Sequence, residues 1–338
     1  MNSLKGTALN THSFRRIMHT LGISLTMSIA LPANSWADTP TTTGTTAPTE
    51  KQYTASEVIG TSLFGDVYSD PSKWQDLSVG NLFNKGWDTP WASPPNGEGG
   101  APRQGWLNAY DGVFYRLGLG IFGYSNYQNQ AAYSGSVTLY TPLNQRFEFR
   151  SDIPLVDSNP GAPGSGYQTN FGDFQITPRV ILHETTNTSH AFDLTFRAPT
   201  GNSANGNGVT AITPTYNFWT NAWKGLVVRG GGGFTIPYSG NIALSGARST
   251  FNANLAAGYY FTPHNYAPII GDMVWYLATN YTQAIDNRAP SSTATVSLAP
   301  GFRTHLGMDW YLLGSVDVPV TRPQPYDYLV QGAVMKVW

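Results

Sequence analysis

The chain has no cysteine, so neither disulfides nor thiolate chemistry can be in play. Charge is scarce as well: 12% of the 338 residues are charged, and the formal net charge is -1. That balance excludes a nucleic-acid binder built on a basic surface. Beyond the N-terminus there is no apolar run long enough for a membrane-spanning helix. Disorder is excluded from the other side, because hydrophobic residues reach 41%.

What is present begins with a leader. Lys5, Arg15 and Arg16 precede an apolar run from Leu21 to Leu31, and Ser35 and Ala37 supply the small residues of a signal-peptidase site. This three-part pattern predicts an export signal over 1–37. A Thr/Pro-rich linker is expected over 38–52. Residues 53–111 carry Trp74, Trp87, Trp91 and Trp106 among Gly and Pro, with neither helical nor strand periodicity. Such a stretch suits a periplasmic lip or a plug in a barrel mouth, and the favoured expectation is a loosely ordered periplasmic extension.

From residue 112 to the end the pattern changes. Phe147, Phe149, Ile153 and Leu155 alternate with Arg146, Glu148, Arg150 and Asp152. Phe174, Ile176, Val180 and Leu182 oppose Asp173, Gln175, Arg179 and His183; Trp310, Leu312, Val316 and Val318 oppose Asp309, Ser315 and Asp317. Period 2 over segments of about ten residues is the mark of strands with one lipid face and one lumen face. About twelve such segments follow, the first near 113–124 and the last near 326–338. Short connections alternate with longer Gly-, Asn- and Ser-rich ones, and 262–272 is a long connection where a short one is due. The expected fold is all-β: a transmembrane, antiparallel, up-and-down barrel over 112–338 with an N-terminal periplasmic extension.

The last strand supports closure. Tyr328, Val330, Val334 and Trp338 share one face, and pairing with the first strand would remove both exposed edges. A terminal strand ending in Trp resembles the C-terminal signature of bacterial outer-membrane barrels, which implies recognition by the barrel-assembly machinery. Lys336 departs from it, sharing the phase of Trp338, and is expected to snorkel at the rim. With the first strand running outward, Phe147, Phe192, Phe218, Phe261, Phe302, Trp310 and Trp338 form a girdle at the periplasmic end of the lipid face.

Gly172–Leu182 followed by Ala191–Gly201, with its Gly-Asp opening and Pro-Thr-Gly close, resembles the central hairpin of the phenol meta-pathway outer-membrane family, whose members are often labelled as transporters. The resemblance implies an exported, porin-like barrel of the Gram-negative outer membrane that passes small solutes, aromatic or hydrophobic ones among them. It carries no catalytic residues to transfer.

Inward phase collects Arg116, Arg146, Glu148, Arg150, Asp152, Asp173, Arg179, Asp193, Arg197, Arg229, Arg303, Asp309 and Asp317. These either line a permeation constriction or form an ionic network that fills the lumen. A lipid-acting barrel enzyme is the rival, but His183, His190, His264 and His305 lie at strand ends or in loops without a Gly-x-Ser-x-Gly elbow. The expectation is therefore a non-enzyme with no metal or cofactor, partnered by outer-membrane lipid and a small permeant; a closed-lumen scaffold is the other alternative. Gly230–Gly233 lacks the Lys-Ser/Thr and helix of a phosphate loop and fits strand curvature instead.

Overall fold

A computed structural model describes residues 52–103, 105–127, 130–160, 167–201, 208–240, 242, 247–262, 269–286, 294–322 and 324–338. The export signal over 1–37 and the linker as far as residue 51 lie outside the described residues, as does His264.

The strands are β1 (Leu117–Tyr127), β2 (Gln130–Pro142), β3 (Phe147–Pro160), β4 (Tyr167–Asn170), β5 (Gln175–Glu184), β6 (Thr188–Arg197) and β7 (Val209–Trp223). They continue as β8 (Leu226–Gly240), β9 (Thr250–Tyr260), β10 (Gly271–Ala284), β11 (Thr295–Gly307), β12 (Trp310–Pro319) and β13 (Tyr328–Val337). All pairings are antiparallel, and β13 pairs with β1 from Leu117↔Val337 to Asn126↔Tyr328. The β2–β3 and β3–β5 pairings complete the circuit, so twelve strands close a barrel. The short β4 pairs only with β3, as a flap beyond the barrel wall. Its Tyr-Gln-Thr-Asn has no apolar alternation to betray it.

Alternation places the side chains. On β13, Val330, Val334 and Trp338 are exposed outside, while Ala333, Met335 and Val337 are buried inside. Leu255, Trp275, Leu277, Leu312 and Val316 are likewise exposed, and Ala256, Val274, Tyr276, Ala278 and Leu313 buried. Among the described residues no helix is long and apolar enough to cross a membrane. Where Cβ atoms would stand on Gly230, Gly231 and Gly233, backbone oxygens of the flanking strands lie only 2.3 Å away. The glycine run thus lets β8 pack close to its neighbours.

Both ends of the barrel chain, Leu117 and Trp338, meet at one end, called here the terminal end. Two of its turns are tight, while the connection between β9 and β10 is long. Gly225 takes φ +81° between β7 and β8, and Met308 and Asp309 take φ 49° and 59° between β11 and β12. Left-handed conformation at both central residues is what a two-residue hairpin of this twist needs. At the far end the β1–β2 connection is only residues 128–129, whereas the other connections there are longer.

The expectation of a loose N-terminal extension is corrected by the structure. Helix α1 (Ala55–Phe64) starts with a capping box, in which Thr54 Oγ1 accepts from Glu57 N–H and the Glu57 carboxylate accepts from Thr54 N–H. Residues 53–100 then bind along the terminal rim: Leu77 bridges to Glu184, Thr89 O accepts from Gln145 N–H at 3.3 Å, and Asn221 Nδ2 donates to Glu98 O at 2.7 Å. From Ala101 the chain turns into the barrel and back out by Arg116. Ala101, Trp106, Leu107, Val113 and Tyr115 form one core with inward residues of the wall such as Trp219, Ala256, Tyr276 and Met335. Irregular chain can lie in an interior like this only because its polar groups find partners there.

Candidate functional site

The terminal half of the lumen is occupied by residues 101–116, and an arginine in the wall holds them. Arg179 of β5 is 1% exposed. Its Nε donates to both oxygens of Asp193 at 3.1 Å, its Nη1 to Glu148 Oε2, and its Nη2 to Asp111 Oδ1 at 2.6 Å and Asp111 O at 3.0 Å. Three carboxylates, from β3, β6 and the plug, therefore share one guanidinium. They are supported in turn: Tyr115 N–H donates to Glu148 Oε1 at 2.7 Å and Asn217 Nδ2 to Asp193 Oδ2 at 2.7 Å. Tyr140 and Phe114 present their rings to the cation.

A second anchor reverses the roles, with the arginine on the plug. Arg103 Nη1 pairs with Glu184 Oε1 at 2.9 Å, and Nη2 reaches the carbonyls of Thr185 and Thr186 in the β5–β6 turn. Trp74 Nε1 donates to the other Glu184 oxygen at 3.1 Å. Arg229 donates to Arg103 O at 2.9 Å and lies over the Trp106 ring, which stacks on Tyr276 with centroids 4.7 Å apart. Arg303 sits between Tyr260 and Tyr311. Burial pushes the phenols of Tyr68, Tyr110 and Tyr115 up, so they stay protonated donors; Tyr115 gives its proton to Arg103 O at 2.6 Å.

Beyond the plug the lumen opens into a cavity of about 850 Å³. Its floor is the plug loop from Gly105 to Asp111. A polar ladder runs up one wall: Asn108 O accepts from Asn254 Nδ2 at 2.9 Å, Asn254 donates to Asn280 Oδ1 at 2.7 Å, and Asn280 to Asp317 Oδ2 at 2.9 Å. Tyr326 donates to Asp317, and burial first, then that carboxylate, pushes the phenol up to about 12. Arg150 and Asp152, paired at 2.8 Å, border the cavity from β3.

The thirteen inward charges separate accordingly. Arg150, Asp152, Asp193, Arg197 and Asp317 border the cavity. Glu148, Arg179, Arg229 and Arg303 are buried around the plug. Four others lie beyond strand ends, where inward phase need not mean lumen. Arg116 has the phase of the outward Gly118 and Gly120, and bonds to Ser62 O, Gly65 O and Trp338 O at the rim. Arg146 lies beneath the wall, binding Ser78 O, Asn81 and Lys85 O. Asp309 is 60% exposed in its turn, 3.6 Å from Lys336. Asp173, also ahead of its strand β5, keeps its inward side: it lies 3.9 Å from the cavity-lining Arg197 and receives Gly201 N–H at 3.0 Å. His183 also changes side, because a bulge between Ile181 and His183 shifts the phase and sends Glu184 inward instead. His183 and His190 then meet outside, tilted, with centroids 5.6 Å apart, and His190 bonds Tyr216 and Thr188 rather than a carboxylate.

The sequence reading missed Asp111 and Arg103, the plug's own charges. An unperiodic stretch gives no phase, so nothing in it marks which of its charges will be buried, although every buried charge demands a partner. The girdle residues are all at the terminal end on the outer face; Phe192, Phe261, Trp310 and Trp338 are exposed there, and Phe302 stands 5.5 Å from Trp275. Among the described residues no cluster of His, Asp or Glu is arranged to hold a metal ion.

Gly112 offers a handle on the plug. A Cβ there would stand 2.8 Å from the Phe218 Cα and 2.9 Å from Asn217 O, both backbone atoms of β7. Gly112→Val is expected to unseat the plug while the barrel wall stays closed, and trypsin should then cut after Arg103. Protection of Arg103 equal to that of the parent protein would contradict the packing described.

The sequence profile of the family described as "Putative MetA-pathway of phenol degradation" matches residues 117–318. No curated protein matches the chain. Among solved structures, the COG4313 outer membrane channel from Pseudomonas putida F1 superposes with a TM-score of 0.55 at 13% identity, covering 70% of this chain and 100% of its own. A protein described as the CymD monoaromatic hydrocarbon channel gives 0.41 at 9% identity, covering 67% and 89%. The NanC porin gives 0.46 at 9%, covering 66% and 98%.

Proposed function

The chain belongs to the family of the MetA-pathway of phenol degradation, and from that premise we propose that it is an outer-membrane channel for passive passage of small solutes. The observation that carries this reading is a closed barrel, apolar outside and girdled with aromatics, whose lumen holds a cavity of about 850 Å³ with many polar side chains in its lining. The COG4313 outer membrane channel, which shares this fold, supports the reading. The lipid-acting enzyme finds little support, since the His183–His190 pair faces outward without a carboxylate partner. Export, insertion into outer-membrane lipid and recognition of β13 by the assembly machinery belong to the same proposal.

The plug sets the condition on passage. Residues 105–111 close the cavity on its terminal side, so solutes cross when that segment shifts. Liposome swelling tests the reading. The reconstituted protein should admit small neutral solutes faster than empty liposomes do, and Gly112→Val should raise the rate severalfold. No swelling with either protein would reduce the barrel to a closed scaffold.

A further inference from the structure

The cap leaves an apolar patch on the outside of the terminal rim that neither the plug nor the cavity uses. Helix α1 buries Val58 and Ser62 but exposes Ile59 by 41% and Phe64 by 87%. Tyr68, just past the helix, is 40% exposed. Val79 and Phe83, farther along the rim segment, are exposed as well, by 65% and 91%, but Phe64 is the one on a helix tied to the barrel wall, and so much bare apolar surface calls for an occupant.

Arg116 locates this patch. Its Nη1 donates to Ser62 O at 3.2 Å and Gly65 O at 2.9 Å, the carbonyls that flank Phe64. Its Nε donates to the carbonyl of Trp338, and its guanidinium lies over the Tyr68 ring, 5.6 Å from the centroid. Trp338 is itself a girdle residue: its ring covers Gly118 on the outer face, 3.1 Å from where a Cβ would be, and is 45% exposed. One side chain thus fixes the C-terminal turn of α1 beside the aromatic belt, on the outward phase of β1.

We propose that Ile59 and Phe64 extend the terminal girdle and dock helix α1 of the rim segment into the interfacial region of a lipid bilayer, while Tyr68 turns inward onto Trp91. This rests on the membrane reading of the barrel. The chemistry fits that partner. Aromatic rings prefer the headgroup boundary, Tyr68 ties the chain after the helix to the wall through its hydroxyl on Arg116 O at 3.4 Å, and Glu57 stays at the opposite, exposed end of the helix. A lipid anchor also gives the cap a role: it holds the root of the plug segment against the rim through a contact that depends on the bilayer.

The absence of cysteine makes the test direct, because any introduced thiol is unique. The full-length exported protein carrying Phe64→Cys, Glu57→Cys or Phe192→Cys would be spin-labelled and reconstituted into phosphatidylglycerol/phosphatidylethanolamine vesicles. Collision with oxygen, which concentrates in lipid, is compared with collision with a water-soluble nickel chelate. The label at Phe64 is expected to favour oxygen severalfold over the label at Glu57, approaching the label at Phe192. Ile59→Cys gives a second reading should the Phe64 variant insert poorly. Nickel access at both helix positions equal to that at Glu57, with Phe192 still in lipid, would overturn the proposal and leave the barrel reading intact. Nickel access at Phe192 itself would instead defeat the membrane reading on which it rests.

Discussion

Arg179→Ala is expected to be among the most damaging single substitutions in the wall, lowering stability by about 3–5 kcal/mol. The guanidinium is the shared partner of Asp111, Glu148 and Asp193, each nearly or fully buried. Without it three carboxylates face one another in a dry interior, and the one that can leave is on the plug. The loss should appear as a lower temperature in a heat-modifiability gel and as tryptic cleavage at Arg103. Arg150→Ala is the control: that arginine is 34% exposed and its single partner Asp152 is 18% exposed, so the change should be worth about 1 kcal/mol or less. Equal effects at the two positions would mean that the network does not hold the plug.

The second large effect belongs to the outer face. Leu194 points outward from the middle of β6, and Thr195, next to it, borders the cavity. Leu194→Arg should destabilise the inserted barrel by about 2–4 kcal/mol, because the guanidinium would sit in hydrocarbon far from either boundary. Thr195→Arg should be far milder, since its charge meets a polar lumen. Urea titration of the folded fraction in lipid vesicles reads both. Equal tolerance would defeat the assignment of faces.

Strands were the legible part of this molecule because a wall between lipid and lumen must alternate, and alternation can be read without knowing any partner. The β1–β13 closure followed from the apolar face of Tyr328–Trp338, and the structure pairs those residues with β1. Phase, however, is a property of a strand and ends with it. Arg116, Arg146 and Asp309 were carried inward by counting past strand ends, and His183 by counting through a bulge. The plug was illegible for a different reason. Residues 101–116 are ordered by what surrounds them, Trp106 by Tyr276 and Asp111 by Arg179, so their own order contains no repeat. What could be read was half of the bargain: wall charges such as Glu148 and Arg179, facing inward toward partners that phase alone does not name.

The Arg116–Trp338 contact joins groups 222 residues apart, and this has a consequence for the order of events during assembly. Contacts between such distant partners form late, since the loop between them must close before they return any free energy. Here the carbonyl that Arg116 needs is on Trp338, one residue past β13, so it comes into place only when β13 has reached β1. The same arginine holds the last turn of α1. Docking of that helix is therefore tied in time to completion of the barrel. A chain stalled one strand short would present its helix unfastened, a visible mark of immaturity for any protease or chaperone that meets it.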